Sequence, residues 1–130
     1  MVISRKHAFI TSVAAIAAVI VLQAFNSVGC YDHTLAMFAT TLGMFVLVPL
    51  LPAAISLFSA NPLRAVGACL LFAPWLVFAY YTDCIRPYQG GGASMVYVAV
   101  LFWGTPCAII GAVLTGPVMR LLGVSVAPRR

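Results

Sequence analysis

Four long apolar runs, separated by short polar stretches, dominate the chain. They cover about residues 8–25, 35–58, 65–81 and 95–114. At about 1.5 Å per residue, even the shortest run would extend roughly 25 Å as an α-helix, close to the thickness of a hydrocarbon core. Backbone groups cannot stay unpaired in hydrocarbon, so each crossing must be helical. The pattern predicts an all-α integral membrane protein: one domain, residues 1–130, with four transmembrane helices in a bundle of two helical hairpins.

The composition agrees with this prediction and excludes other classes. Hydrophobic residues make up 64% of the chain and charged residues 7%, which is far too little charge to cover a soluble domain of this size. The net charge of +5 raises the question of nucleic acid. The basic residues flank apolar runs, however, and do not form a stripe with polar and aromatic residues, so no nucleic-acid partner is expected. The expected surroundings are a lipid bilayer.

The basic residues also predict an orientation. If the N-terminus is cytoplasmic, only Arg86 faces outward, and cytoplasmic loops are those enriched in Lys and Arg. We therefore expect a multi-pass protein of the cell inner membrane with both termini in the cytoplasm. The first run should be retained, because no small-x-small cleavage pattern follows it. The residues placed inside are Arg5, Lys6, Arg64, Arg120, Arg129 and Arg130.

Small residues indicate where helices can pack closely. Gly104, Ala108, Ala112 and Gly116 recur every four residues in the last run, and such stripes let helix backbones approach in a membrane, where packing replaces the hydrophobic drive. Ala39 and Gly43 have the same spacing in the second run. These faces could close the bundle, and the stripe in the last run could instead meet another protein or a second copy.

The two connections that face outward in this topology contain most of the reactive side chains. Cys30, Asp32 and His33 lie in the first connection, and Asp83 and Cys84 lie in the second. A disulfide between Cys30 and Cys84 would join the two hairpins in an oxidising compartment. The sequence predicts this bond with a structural role.

Two alternatives use the same side chains. Cys30, His33, Asp83 and Cys84 could form a tetrahedral metal site, because they supply soft and borderline ligands around a C-x-x-H pair. Alternatively, four helices with outer cysteines resemble in outline the quinone-linked thiol oxidases that recharge periplasmic disulfide donors, which implies thiol redox chemistry. That family has a C-x-x-C pair in one outer loop, whereas each outer connection here has a single cysteine.

The motifs of common enzymes and transporters are missing from the sequence. No Asp, Glu, Lys, Arg or His lies between the ends of any run, although ion-coupled transporters usually need one. There is no Ser-His-Asp set, H-E-x-x-H or phosphate-binding loop, and no cofactor is expected. Cys69 and Cys107 lie within the third and fourth runs, where cysteine most often serves as a small packing residue.

The leading hypothesis is a small non-enzymatic inner-membrane protein that acts by protein contact, as an accessory subunit or an immunity-type protein. Its expected partner is another membrane protein or a second copy of the chain. The first alternative is a small carrier or channel for a soft metal or an uncharged solute, in which Cys69 and Cys107 could participate. The second alternative is a membrane thiol-disulfide oxidoreductase.

Overall fold

The computed structural model describes residues 1–85 and 95–128. Within these residues the chain is helical apart from short connections and one pair of two-residue strands. Of the basic residues used above to predict orientation, Arg86, Arg129 and Arg130 lie outside the described residues. The α-helices are α1 (Arg5–Phe25), α2 (Leu35–Thr41), α3 (Leu47–Leu57), α4 (Arg64–Tyr80) and α5 (Val96–Leu121), and the strands are β1 (Val2–Ile3) and β2 (Ser125–Val126).

Four helical stretches are long and apolar enough to cross a membrane, as the sequence predicts. We name them spans 1 to 4: Arg5–Cys30, Leu35–Leu57, Arg64–Ile85 and Val96–Leu121. Spans 1, 3 and 4 extend beyond their predicted bounds, because the helices include polar or basic residues at their ends that a hydropathy pattern leaves out. In each span's most apolar stretch, at most 33% of the residues are buried inside the protein. The bundle therefore has an apolar exterior.

Three π-helical turns interrupt or extend these spans. They cover Asn26–Cys30 at the end of span 1, Leu42–Val46 inside span 2 and Tyr81–Ile85 at the end of span 3. A π-helical turn takes more residues per turn than an α-helix, so it shifts the side chains that follow onto a different face. In span 2 the turn separates α2 from α3.

The core is built around α4, which contacts α1, α3 and α5. Ala65, Ala68, Phe72, Leu76 and Ala79 are all less than 2% exposed, and their spacing of three or four residues follows one face of the helix. Phe72 and Leu76 are the largest side chains in the set. The third span is therefore the central element of the packing.

Helices α4 and α5 approach each other closely at Gly67 and Gly111. A Cβ atom added to Gly111 would lie 2.7 Å from the backbone carbon of Gly67, and one added to Gly67 would lie 2.5 Å from the carbonyl oxygen of Gly111. Real Cβ atoms almost never make contacts below 3.0 Å. The two backbones can approach this closely only because both positions lack a side chain.

The predicted stripe on span 4 is only partly the packing face. Gly104 and Ala108 are buried, but the buried line continues through Gly111, while Ala112 and Gly116 are half-buried. Residues four apart are offset by about 40° around an α-helix, because 3.6 residues make one turn. A strict four-residue stripe therefore drifts off the contact, and the actual contact line uses a step of three between Ala108 and Gly111.

The first half of span 2 packs least. No residue of α2 is buried, and α2 contacts mainly the π-helical turn that follows it and the one at Asn26–Cys30. Ala39 and Gly43 are exposed, and a Cβ atom added to Gly43 would meet nothing within 4 Å. These two small residues therefore do not close the bundle.

The short strands bring both ends of the described chain together. Val2 pairs with Ser125 and Ile3 with Val126 in parallel register, and the amino group of Met1 donates to the Gly123 carbonyl at 2.7 Å. The sequence analysis did not predict these strands. We call this end of the bundle the strand end, and the end that contains Cys30 and Cys84 the disulfide end.

Candidate functional site

The candidate site lies at the disulfide end, where two π-helical turns bring Cys30 and Cys84 together. Cys30 is the last residue of the turn that ends span 1, and Cys84 lies in the turn that ends span 3. The two form a disulfide with a Cα–Cα distance of 5.8 Å across a sequence separation of 54 residues. The predicted pairing is therefore present in the structure.

Aromatic and acidic side chains pack beside the disulfide. The Tyr31 hydroxyl donates a hydrogen bond to Oδ2 of Asp83, so it links the same two connections as the disulfide. The Tyr31 ring stacks on His33 with centroids 5.3 Å apart and meets Tyr97 edge-on at 5.8 Å. Phe45, in the π-helical turn of span 2, contacts Tyr97 at 5.7 Å. Residues from all four spans or their ends thus meet here.

Beneath these rings lies a set of fully buried polar side chains at the end of span 1. Gln23, Asn26 and Ser27 are 0% exposed. The Gln23 amide donates to the Ser27 hydroxyl and accepts from the Tyr97 hydroxyl, both at 3.1 Å. The Asn26 amide donates to the Leu76 carbonyl at 3.1 Å. These bonds join span 1 to spans 3 and 4, and they satisfy groups that would otherwise be costly to bury.

Three buried polar atoms within the described residues have no hydrogen-bond partner: Oδ1 of Asn26, Nδ1 of His33 and Oδ1 of Asp83. Two of these atoms accept hydrogen bonds only, and the imidazole nitrogen accepts or donates according to its tautomer. Ordered water is the usual partner of such groups in a protein interior. All three atoms lie at the disulfide end, and two of them belong to His33 and Asp83, in or beside the connections that the disulfide joins.

Burial, the largest cause, raises the pKa of the Tyr31 hydroxyl above its ordinary value, and the hydrogen bond to Asp83 raises it further. Both effects disfavour the phenolate, because burial removes water from the charged form and the Asp83 oxygen accepts a hydrogen bond that only the protonated phenol can donate. Tyr31 therefore remains a hydrogen-bond donor throughout the physiological pH range.

The geometry bears directly on the metal alternative. Cys30 and Cys84 are bonded to each other, and metal binding requires thiolates. Among the described residues, no group of three or more His, Cys, Asp and Glu side chains is placed to hold a metal ion. In this oxidised state, His33 and Asp83 lack the two sulfur ligands that the tetrahedral set requires.

The redox alternative needs a thiol that can attack the disulfide. The free cysteines are Cys69 and Cys107, in α4 and α5. Cys69 is buried and lies roughly 20 Å from Cys84 along the helix axis. Cys107 lies ten residues along α5 from Tyr97, roughly 15 Å from the disulfide end. Both thiols are therefore too far away to act as a resolving thiol, and exchange would require a thiol from another molecule.

Several hydroxyl groups inside the spans donate to backbone carbonyls. Ser12 donates to the carbonyls of Ala8 and Pro62. Thr40, Ser56, Thr105 and Thr115 each donate to the carbonyl four residues earlier, as Ser and Thr commonly do in membrane helices. Such bonds occupy the donors that a polar solute would need.

Sequence reasoning identified the disulfide but missed the buried network beneath it. Gln23, Asn26 and Ser27 lie three and four residues apart, which places them on one helix face. That spacing could have indicated a polar face at the end of span 1. Their partners are not visible in the sequence, because Tyr97 and the Leu76 carbonyl lie about fifty or more residues away.

No protein-family model matches this chain, and no match was found among curated proteins or solved structures.

Proposed function

We propose that this chain is a small non-enzymatic protein of a bacterial-type inner membrane that acts by contact with another membrane protein, as an accessory subunit or an immunity-type protein. Its four spans form two hairpins with both termini in the cytoplasm. The partner helix packs on the exposed face of the first half of span 2. That exposed face is the observation that carries the proposal.

The apolar exterior supports a membrane location. Large hydrophobic side chains point outward on every span, and Ile55, Leu70, Phe102 and Trp103 are each at least 63% exposed. Water would disfavour a surface of this kind, whereas lipid would not. The strand pair places both ends of the described chain together, which agrees with an even number of crossings and with termini on one side.

The exposed face of span 2 has the composition of a helix contact. Ala36, Ala39, Thr40 and Gly43 follow the spacing of one helix face, and all four are exposed. The Thr40 hydroxyl donates to the Ala36 carbonyl at 2.9 Å, so the face demands no polar partner. Small residues let a second helix backbone approach closely. We name this surface the span 2 face.

The span 2 face is the better candidate because the other small-residue stripe is used inside the chain. Gly104 and Ala108 are buried, and a Cβ atom on Gly104 would lie 2.8 Å from the ring of Phe72. The span 4 stripe therefore supports the bundle. The span 2 face has no such internal partner among the described residues, and flexible Met37 and Met44 flank it, 51% and 59% exposed, as adaptable contact residues.

The other hypotheses draw less support. A carrier or channel for an uncharged solute needs free polar groups along a path, whereas the hydroxyls of Ser12 and Thr105, inside spans 1 and 4, donate to backbone carbonyls. A thiol oxidoreductase needs an attacking thiol near Cys30 and Cys84, and the free cysteines lie within α4 and α5.

The proposal is tested by a photo-activated cross-linking residue placed at Ala39 in the native membrane. We expect a cross-linked product heavier than the chain, containing a different membrane protein. The matched control carries the cross-linker at Ala17, which is also a small exposed residue of a span, and should give lipid adducts only. A product of twice the chain's mass would show that the partner is a second copy of the chain and not a different protein.

A substitution provides the complementary test. Gly43→Ile should abolish co-purification of the partner in mild detergent and leave the fold intact, because nothing lies within 4 Å of the added Cβ atom. Ala17→Ile, which enlarges an exposed residue of span 1, should leave co-purification unchanged. If Gly43→Ile retained the partner, or no partner were captured from native membranes, the proposal would be wrong.

A further inference from the structure

Two arginines line one cavity at the strand end of the bundle. Arg64 is the first residue of α4 and Arg120 lies in the last turn of α5. Both border a cavity of about 220 Å³ that also involves Asn61, Gly116 and Ser125. The Arg64 guanidinium lies over α5, since a Cβ atom on Gly116 would be 3.4 Å from its Nη2 atom. The ends of α4 and α5 therefore bring two arginines to the border of one cavity.

Neither charge is balanced within the described residues. The guanidinium groups of Arg64 and Arg120 have no hydrogen-bond or ion-pair partner there, whereas that of Arg5, at the same end, donates to the carbonyls of Ser59 and Ala60 at 2.8 and 3.0 Å. The chain's two acidic residues, Asp32 and Asp83, belong to the connections at the disulfide end. Two guanidinium groups that share a cavity without a carboxylate favour a bound anion.

An apolar groove lies beside this cavity. It has a volume of about 470 Å³ and runs between α4 and α5, and Met119 lines both the groove and the cavity. Gly67 and Gly111 contribute to the groove, and so do Leu70 and Val118. Its hydroxyl group, on Thr115, donates to the Gly111 carbonyl at 2.7 Å. The groove therefore presents an apolar surface to its contents.

We propose that Arg64 and Arg120 bind the phosphate of an anionic phospholipid whose acyl chain lies in the groove between α4 and α5. Guanidinium groups form paired hydrogen bonds with phosphate oxygens. Basic pockets between membrane helices are known to bind acidic headgroups. The adjacent apolar groove favours a lipid over a soluble phosphate, because only a lipid has an acyl chain that can lie in the groove. The inference rests on the chain spanning a membrane and is independent of its protein partner.

The test is native mass spectrometry of the full chain in mild detergent, after incubation with equal amounts of phosphatidylglycerol and phosphatidylcholine. We expect one phosphatidylglycerol to be retained, with a preference of about tenfold or more. The double variant Arg64→Gln/Arg120→Gln should lose that preference. Lys6→Gln removes one positive charge at the same end from an exposed residue outside the cavity and should behave like the wild type.

A second arm tests the groove. Val118→Trp places a large side chain in the groove from a position that is 48% exposed, and it should lower phosphatidylglycerol retention by about tenfold. Inorganic phosphate at millimolar concentration should not displace the lipid. The proposal is overturned if the wild type shows no preference for phosphatidylglycerol, if the double variant keeps it, if Val118→Trp has no effect, or if inorganic phosphate replaces the lipid. Circular dichroism checks that each variant is folded.

Discussion

At the disulfide end, the hydroxyl of Tyr31 holds the side chain of Asp83 across two connections of the chain. Asp83 is one of only two acidic residues in the protein, and one of its oxygens is buried without a partner. The stability of this part-buried side chain depends on the Tyr31 hydroxyl, because removal of that donor would leave a second Asp83 oxygen with neither water nor a hydrogen-bond partner. The Tyr31 hydroxyl is therefore a structural group at this end.

The raised pKa of Tyr31 predicts how the stability of the protein changes with pH. An unfolded tyrosine titrates near 10, and the pKa of Tyr31 in the folded protein is higher. Its contribution to stability is therefore complete below pH 10 and is lost as the pH rises towards the folded pKa. Tyr31→Phe should lower the free energy of unfolding by about 1 kcal/mol at pH 7, and its difference from the wild type should shrink above pH 10.

The measurement is unfolding in mixed micelles with increasing dodecyl sulfate, repeated between pH 7 and pH 12. Comparison of the two proteins cancels the titration of the other tyrosines. A stability difference that stays constant up to pH 12, or absorbance at 295 nm showing that Tyr31 ionises near pH 10, would contradict the assignment.

Among the residue contacts at the disulfide end, the disulfide could be predicted from the sequence, whereas the hydrogen bonds of Gln23 and Asn26 could not. Cys30 and Cys84 could be paired because each of the two connections predicted to face outward holds one cysteine. The partners of Gln23 and Asn26 could not be predicted, since they depend on how spans 3 and 4 rotate about their axes. Helix rotation is set by packing between spans, and hydropathy does not report it.

Among the elements, α4 and α5 approach each other closely at Gly67 and Gly111. Gly67→Ala and Gly111→Ala should each destabilise the protein by about 1–3 kcal/mol, because the added methyl group overlaps the facing backbone and forces the helices apart. Dodecyl sulfate titration monitored by circular dichroism measures this loss.

Gly43→Ala is the matched control. It makes the same chemical change in another span, at a position with nothing within 4 Å. Because Ala has the higher helix propensity, this variant should be neutral or slightly more stable. Equal effects at Gly43 and Gly111 would show that helix propensity, and not the crossing, decides the outcome.

The four spans were predictable because long apolar runs are a strong signal. The π-helical turns were not, since one extra residue in a turn leaves no mark in an apolar sequence. Asn26–Cys30 and Tyr81–Ile85 nevertheless decide where the cysteines meet. The β1–β2 pair was also missed, because two residues per strand are too few for a periodic pattern.

For the whole molecule, the disulfide joins the end of span 1 to the end of span 3. Replacing both cysteines with serine should lower the free energy of unfolding by up to about 4 kcal/mol, the chain-entropy value for a loop of about fifty residues. The loss should be smaller if the micelle already confines the unfolded chain. Unfolding with and without a reductant measures it.

The reductant supplies the control for this variant. It should weaken the wild type to the level of Cys30→Ser/Cys84→Ser and leave the double variant unchanged. Cys107→Ser, which alters a free cysteine, should still respond to the reductant. A wild type that is insensitive to reduction would show that the bond contributes nothing to stability.

We propose that the four spans place the Cys30–Cys84 disulfide on the outer side of the membrane. It is tested most directly in intact bacterial spheroplasts that express the Cys69→Ala/Cys107→Ala variant, using a membrane-impermeant reductant followed by an impermeant maleimide-polymer. We expect the polymer to label Cys30 and Cys84 after reduction and to label neither cysteine before it. Labelling without reduction, or only after the membrane is opened, would contradict it.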